Sequence, residues 1–291
     1  MKKKAPKRYE KWLTNHASSL RGRHVLITGG NSGIGFACAQ HLLHLGARLT
    51  LCCRSAERGK SAVAALLARH PDACVSLEQL DLASFASVDS LAARLAEKAT
   101  HIDVLLHCAG VYYPKEPRTA DGLPTTVGVN FVGTQRLTEA LLPLMDASGR
   151  VIFTTSLVDR FGKETVPPRL RQGYAEYAQS KLLLSAYALQ KAAKRDEKQP
   201  IFVAVHPGIT ATSLLDPSKT THSPLFSRIG HGFLYLFTHP KEKAALTAVL
   251  AAAGAVQNGD CIGPRGLFGI SGYPHRTKFC RNVKRQARIM K

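Results

Sequence analysis

No run of eighteen or more apolar residues occurs in the 291-residue chain, so no stretch of it reads as a membrane-spanning helix. The charged N-terminus is not followed by the apolar core of a secretory signal. Cysteine never occurs as C-x-x-C: the seven, at 38, 52, 53, 74, 108, 261 and 280, have spacings that argue against structural zinc. Several fall in apolar runs, where a free thiol packs as a small hydrophobe. This usage predicts reduced cysteines and a cytoplasmic setting. Acid is in short supply as well, twenty Asp plus Glu against forty Lys plus Arg, a formal +20. Much of the surplus lies at the ends, in Lys2, Lys3, Lys4, Lys7, Arg8 and Lys11 and in Lys278, Arg281, Lys284, Arg285, Arg288 and Lys291. No nucleic-acid-binding motif accompanies it, so solvated cationic ends and no specific nucleic-acid partner are expected; salt-dependent binding of DNA or RNA would mark the rival reading. Internal repeats and low-complexity linkers are absent too, and a hydrophobic content of 45% excludes disorder as the main state.

What the chain does have is a regular alternation. Apolar runs of strand length recur at 24–28, 48–53, 75–80, 103–107, 150–155 and 201–205, with helical spacing at 34–45, 58–70, 87–98, 123–145 and 174–195 between them. Alternation of this kind predicts parallel strands joined by right-handed crossovers. The expected fold is α/β: a single doubly wound, Rossmann-type parallel sheet with helices on both faces, its ligand at the carboxyl ends of the strands. A last strand is expected near 267–270. The chain divides into a basic arm at 1–20, a Rossmann-type domain at 21–275 and a basic tail at 276–291. Within the domain, 209–240 interrupts the alternation and is read as a substrate-side lid.

The motifs all fall at strand ends. Thr28-Gly29-Gly30-Asn31-Ser32-Gly33-Ile34-Gly35 joins the first strand to a helix, a junction where glycines admit phosphate and the helix N-terminus offers unpaired N–H donors. The plainer reading is a turn that tolerates positive φ. The second strand ends in Cys53-Arg54-Ser55, with Arg58 following and no acid before Glu57. A carboxylate there would bond a ribose 2′-hydroxyl, whereas an arginine fork suits a 2′-phosphate, so NADP is expected in preference to NAD.

Tyr177 and Lys181 stand one helical turn apart. A phenol titrates near ~10, and a neighbouring ammonium is expected to lower that value and make proton exchange with a carbonyl or alcohol feasible. Tyr187 and Lys191 repeat the spacing deeper along the helix and are read as a decoy. Ser156, past the fifth strand, can meet Tyr177 in the same crevice, although a serine there is commonly only a cap. Asn130 is polar on an apolar helix, with local backbone bonding as its plain explanation.

Taken in order, these motifs resemble the short-chain dehydrogenase/reductase family over roughly residues 21–272. The loop 28–35 is similar to its Thr-Gly-x-x-x-Gly-x-Gly cofactor loop. His107-Cys108-Ala109-Gly110 is similar to its Asn-Asn-Ala-Gly strand end, with His107 and Cys108 replacing the asparagines. Asn130, Ser156, Tyr177 and Lys181 match its catalytic tetrad, and His206-Pro207-Gly208 its Pro-Gly turn. Cys53-Arg54-Ser55, Asp81-Leu82-Ala83 and the long segment between Ser156 and Tyr177 narrow the likeness to the retinol-dehydrogenase-like and protochlorophyllide-reductase-like branch.

The resemblance implies hydride transfer between nicotinamide and a carbonyl or alcohol carbon. It implies Tyr177 as general acid/base, Ser156 orienting the carbonyl, Lys181 on the nicotinamide ribose, and Asn130 anchoring a water that leads from Lys181 to solvent. The cofactor would touch Gly29, Asn31, Ser32, Gly33, Ile34, Gly35, Arg54, Ser55, Asp81, Leu82, Cys108, Ala109, Gly110, Tyr177, Lys181, Pro207 and Gly208. The alternative is a non-catalytic NADP-binding sensor or interaction protein that keeps the fold. Tyr112, Tyr113, Leu157, Leu214, Leu215, Phe226, Phe233, Leu234 and Phe237 are candidates for an apolar substrate pocket, or are ordinary lid packing. The apolar patch at 233–237 is also open to a homo-oligomer or membrane-surface contact.

Overall fold

The computed structural model describes residues 7–162, 173–210 and 239–277. Eight strands, β1 His24–Thr28, β2 Arg48–Cys53, β3 Val75–Gln79, β4 Val104–His107, β5 Arg150–Thr154, β6 Ile201–Val205, β7 Cys261–Pro264 and β8 Pro274–Arg276, form one sheet. Their order is β3-β2-β1-β4-β5-β6-β7-β8. All neighbours pair in parallel except β8, which runs antiparallel to β7. The chain order reverses at β1, which lies between β2 and β4, and this reversal opens the crevice at the strands' carboxyl ends.

Side-chain alternation along the central strands explains the layers. Val25 and Ile27, Val104 and Leu106, Ile152, and Val203 and Val205 face one way. There they meet α1 (Lys7–His16), α2 (Gly33–His44), α3 (Ala56–Leu67) and, from near the end of the domain, α9 (Leu246–Ala253), which follows the short α8 (Lys241–Ala244). Leu26, Leu105, Val151 and Phe153, and Phe202 and Ala204 face the other way, onto α4 (Phe85–Glu97), α6 (Thr134–Leu141), which follows the one-turn α5 (Thr125–Val127), and α7 (Tyr174–Ala193). Strands buried on both sides need apolar residues at every position, which is why they read as continuous runs.

Three expectations are refined. Part of the stretch 1–20 set apart as an arm is helix: Leu13 of α1 is fully buried, and Trp12 stacks on Tyr273 at 5.4 Å. The strand expected near 267–270 is instead a 3-10 turn, Leu267–Gly269, with Leu267 76% and Phe268 73% exposed. Gly266, Gly269 and Gly272 break the backbone there, and bonds from Arg265 N to Tyr273 O (2.9 Å) and from Gly266 N to Ser271 O (2.8 Å) close a hairpin whose tip is that apolar run. Lastly, Cys38, Cys52, Cys53, Cys74 and Cys108 are free thiols, but Cys261 is disulfide-bonded, which corrects the expectation of uniformly reduced cysteines. Residues 211–238, which hold most of the expected lid, lie outside the described residues, as does the basic tail from 278.

The start of α2 is fixed by a backbone contact that leaves no room for a side chain. A Cβ on Gly35 would overlap the Gly29 carbonyl oxygen and come within 3.3 Å of Cys108 Cβ. Gly35→Ala should therefore lower stability by about 1–3 kcal/mol, the usual cost of overpacking. Urea denaturation checks it; an unchanged midpoint would refute this account of the contact.

Candidate active site

The loop after β1 has the form of an anion cradle. Gly29 and Gly33 take left-handed φ of 68° and 56°, and Gly29 approaches Ala109 so closely that a Cβ would lie 2.8 Å from Ala109 Cα. Ser32 precedes α2 in extended conformation without capping it through its side chain, and no acid occupies the first turn. The first N–H groups of α2 are thus available to an anion. Asn31 and Ile34 complete the loop. Across the crevice Thr28 Oγ1 accepts a bond from Ala109 N (3.2 Å), holding the ends of β1 and β4 together.

The other expected cofactor residues line the same edge of the sheet. Arg54 is exposed at the end of β2; Ser55 caps α3 by accepting from Arg58 N at 3.2 Å. Asp81 Oδ1 accepts from Ala83 N (2.9 Å), which shapes the turn after β3, and Leu82 is buried beside it. Cys108 lies 3.5 Å from Thr154 Oγ1 and sits beside Cys38 of α2, whose thiol reaches Ala245 O. Gly208 has φ 77° and packs on the Ile270 carbonyl, while His239 Nε2 contacts Pro207 O at 2.6 Å. A dinucleotide's phosphates, riboses and bases fit this set chemically, with glycine backbone, free helix N–H groups and an arginine at the adenosine end.

The four residues expected to carry chemistry come together where β4, β5 and α7 meet. Asn130 lies in a π-helical turn, Gly128–Gly133, that breaks the long helical segment expected at 123–145. Its amide clasps the backbone after β4: Val111 N donates to Oδ1 (2.7 Å), while Nδ2 donates to Val111 O (2.9 Å) and to Ser180 Oγ (3.0 Å). This is long-range bonding, not the local backbone bond of its plain explanation. Lys181, 4% exposed, donates to Thr154 O at the end of β5 (2.9 Å), its ammonium 5.7 Å from the Tyr177 ring centre. The Ser156 hydroxyl lies close enough to the Tyr177 phenol to act on its titration, and it accepts from Val158 N (3.4 Å).

The titration of the pair differs from expectation. Desolvation in the crevice pushes Tyr177 up to about 12, opposed by the neighbouring Ser156 hydroxyl; burial dominates where the ammonium was expected to bring the phenol down. The same cause brings Lys181 down to about 8, with the Cys108 and Asp159 charges opposing the fall. Near neutral pH the site thus holds a protonated phenol beside a cationic lysine. The decoy pair is structural: Tyr187 and Lys191 both donate to Glu139, at 2.6 and 3.1 Å.

Of the pocket candidates, Tyr112 sets its ring edge-on to Tyr177 at 5.4 Å, and Tyr113 follows with a left-handed φ of 50°. A non-glycine residue held there stores of the order of 1–3 kcal/mol of strain, a pattern that concentrates at ligand sites. Leu157 opens the turn after Ser156, whereas Leu214, Leu215, Phe226, Phe233, Leu234 and Phe237 lie outside the described residues. Sequence reading missed three contributors. The Thr154 carbonyl carries no residue signal, Ser180 looks like helix filler, and Asp159 looks like a turn residue although it is buried.

Comparison with known proteins agrees with this geometry. The sequence model described as short chain dehydrogenase matches residues 23–223. Retinol dehydrogenase 14 of Mus musculus is 30% identical over 266 residues, covering 83% of this chain and 79% of that protein. A short chain dehydrogenase of Arthrobotrys oligospora is 33% identical over 273 residues, covering 84% and 83%. Among solved structures, a short chain dehydrogenase from Burkholderia cenocepacia in complex with NADP superposes with a TM-score of 0.66 at 24% identity, over 84% of this chain and 96% of that one, which speaks for the fold. The chain belongs to the short-chain dehydrogenase/reductase family and is an NAD(P)-dependent oxidoreductase acting on alcohol or carbonyl groups. Within that family it lies in the retinol-dehydrogenase-like branch. No helix among the described residues is long and apolar enough to cross a membrane.

The pH dependence follows from the two perturbed groups. Lys181 is charged below about 8 and neutral above, while Tyr177 keeps its proton up to about 12. In carbonyl reduction kcat/KM, which reports the free enzyme, should hold level up to about pH 8 and fall above it, with no phenol limb below pH 10. Rates measured from pH 6 to 10 decide it; a profile flat through pH 9.5 would contradict the assignment to Lys181.

Proposed function

We propose that the protein transfers hydride between NADP(H) and an apolar carbonyl or alcohol compound, with Tyr177 as general acid/base. One observation carries the reading: the Ser156 hydroxyl, the Tyr177 phenol and the Lys181 ammonium share one crevice at the carboxyl ends of the strands. The dinucleotide, when bound, supplies or accepts the hydride. The chain's own groups manage the proton. Tyr177 enters protonated and donates to the oxygen that gains charge during reduction, and Ser156 fixes that oxygen by a second hydrogen bond. Lys181, anchored on Thr154 O, would hold the nicotinamide ribose, and Asn130 keeps one acceptor lone pair on Oδ1 for a water on the way to solvent.

NADP is preferred on charge grounds. Arg54 and Arg58 stand exposed around the Ser55 cap, and the residue ending β2 is no acid. The NADP bound to the Burkholderia cenocepacia relative agrees with this choice. Tyr112, Tyr113 and Leu157, together with the exposed Phe161 and Tyr174, support an apolar substrate, and the retinol dehydrogenase relatives carry such a substrate in their names.

The decisive experiment is NADPH oxidation by the purified protein against a panel of apolar aldehydes and ketones. Turnover is expected, and Tyr177→Phe should reduce kcat by about 10²–10⁴-fold, the usual worth of a positioned acid. No turnover on any member, or turnover indifferent to the substitution, would defeat the reading. For the cofactor, NADPH should bind more tightly than NADH, and Arg54→Asp should shrink or reverse that preference; equal affinities in the parent protein would remove the case for NADP.

A further inference from the structure

Asp159 has no part in the tetrad, yet it is a carboxyl group only 4% exposed, three residues beyond Ser156. It sits in the 3-10 turn Leu157–Phe161 that Ser156 caps, and its N–H donates to Ser156 O (3.1 Å). Its Oδ2 accepts from Ser185 Oγ at 2.8 Å across to α7. Tyr177, Lys181 and Ser185 are spaced i, i+4, i+8, so the stripe of α7 that presents the phenol and the ammonium also presents the hydroxyl that grips Asp159. The turn is pressed onto the same helix further along, where a Cβ on Gly162 would come within 2.7 Å of Leu182 Cβ. Burying a carboxyl costs several kcal/mol unless it is bonded, so the contact is held for a reason beyond filling space.

We infer that the Asp159–Ser185 hydrogen bond is a positioning latch that sets the Ser156 hydroxyl against the Tyr177 phenol. The inference rests on the proposed roles of those two residues. It assigns Asp159 and Ser185 no contact with substrate or cofactor. Burial lifts the Asp159 carboxyl to about 7, with Ser185, Arg160 and Lys181 acting in the other direction, so near neutrality it is divided between two protonation states. Either state retains an oxygen able to accept from Ser185, and the latch therefore depends on shape more than on charge.

Two readouts test it, one independent of turnover. In the full-length protein Asp159→Ala and Ser185→Ala should each lower kcat roughly ten- to hundredfold, the scale of a displacement of about 1 Å in a reacting group, with the KM for NADPH unchanged. The double variant should be no worse than either single one, and Asp159→Asn, which still accepts from Ser185, should recover most of the rate. Amide hydrogen exchange should accelerate at 156–162 in both alanine variants while β1 stays protected. Parental kcat in Asp159→Ala, additive losses in the double variant, or unchanged exchange at 156–162 would each overturn the latch. If the parent protein turned over nothing, the proposed reaction would fail and the exchange measurement would still decide the latch.

Discussion

The Lys181 ammonium is almost wholly out of water, and the arrangement around it is what lets a charge stay there. A buried cation survives only if its protons are bonded. Here one goes to the carbonyl of Thr154, the last residue of β5. That bond ties α7 to the central sheet at the point where the crevice opens. The Tyr177 phenol, one turn earlier, is placed by the same rigid helix, and the Ser156 hydroxyl follows two residues after the carbonyl that anchors the lysine. Tyrosine, lysine and serine are therefore positioned by one strand end and one helix, not by three independent loops.

The decoy pair shows why spacing alone does not make a site. Tyr187 and Lys191 have the same separation as Tyr177 and Lys181 and belong to the same helix, but they meet the Glu139 carboxylate on α6, which accepts a hydrogen bond from each. Bonding to that carboxylate and burial push the Tyr187 phenol far up, burial first, and lock it as a donor. Tyr177 is set beside a hydroxyl instead, a group that can either donate or accept a hydrogen bond. The partner decides the role.

Much of this was legible in the sequence because it follows from periodicity and strand ends. Continuous apolar runs placed β1, β2, β4, β5 and β6, and the glycine loop, Arg54, Ser156 and Tyr177 could be assigned to the ends of those strands or to the helix facing them. The misreadings share a cause. The run at 267–270 is apolar like a strand, but four bonds of backbone and the glycines around it make it a hairpin tip, and local composition does not report which side of a turn meets water. Leu13 looks like part of a charged arm until a tertiary partner buries it. The rise of the Tyr177 phenol escaped because a neighbouring charge is visible in a sequence and desolvation is not. Asp159 was missed on the same ground: a turn aspartate normally bonds its own backbone, and only the packing of the turn onto α7 brings it to Ser185.

The replacement of two asparagines by His107 and Cys108 shows how a strand end can keep its backbone role with different chemistry. Thr138 Oγ1 gives its only proton to Thr134 O (2.8 Å), so at 2.9 Å from His107 Nε2 it must accept, and the imidazole carries its proton on Nε2. The ring stacks on Phe153 at 5.2 Å, and burial brings its titration down to about 3, so it is neutral at any working pH and adds no charge beneath the crevice. Cys108 meets Thr154 Oγ1, with the Cys38 thiol of α2 beside it. An asparagine pair would need more hydrogen-bond partners than an imidazole and a thiol do, and here those partners are spread over α2, β5 and α6. The turn at Ala109 and Gly110 is thus held by three elements, with Gly29 in close approach to Ala109.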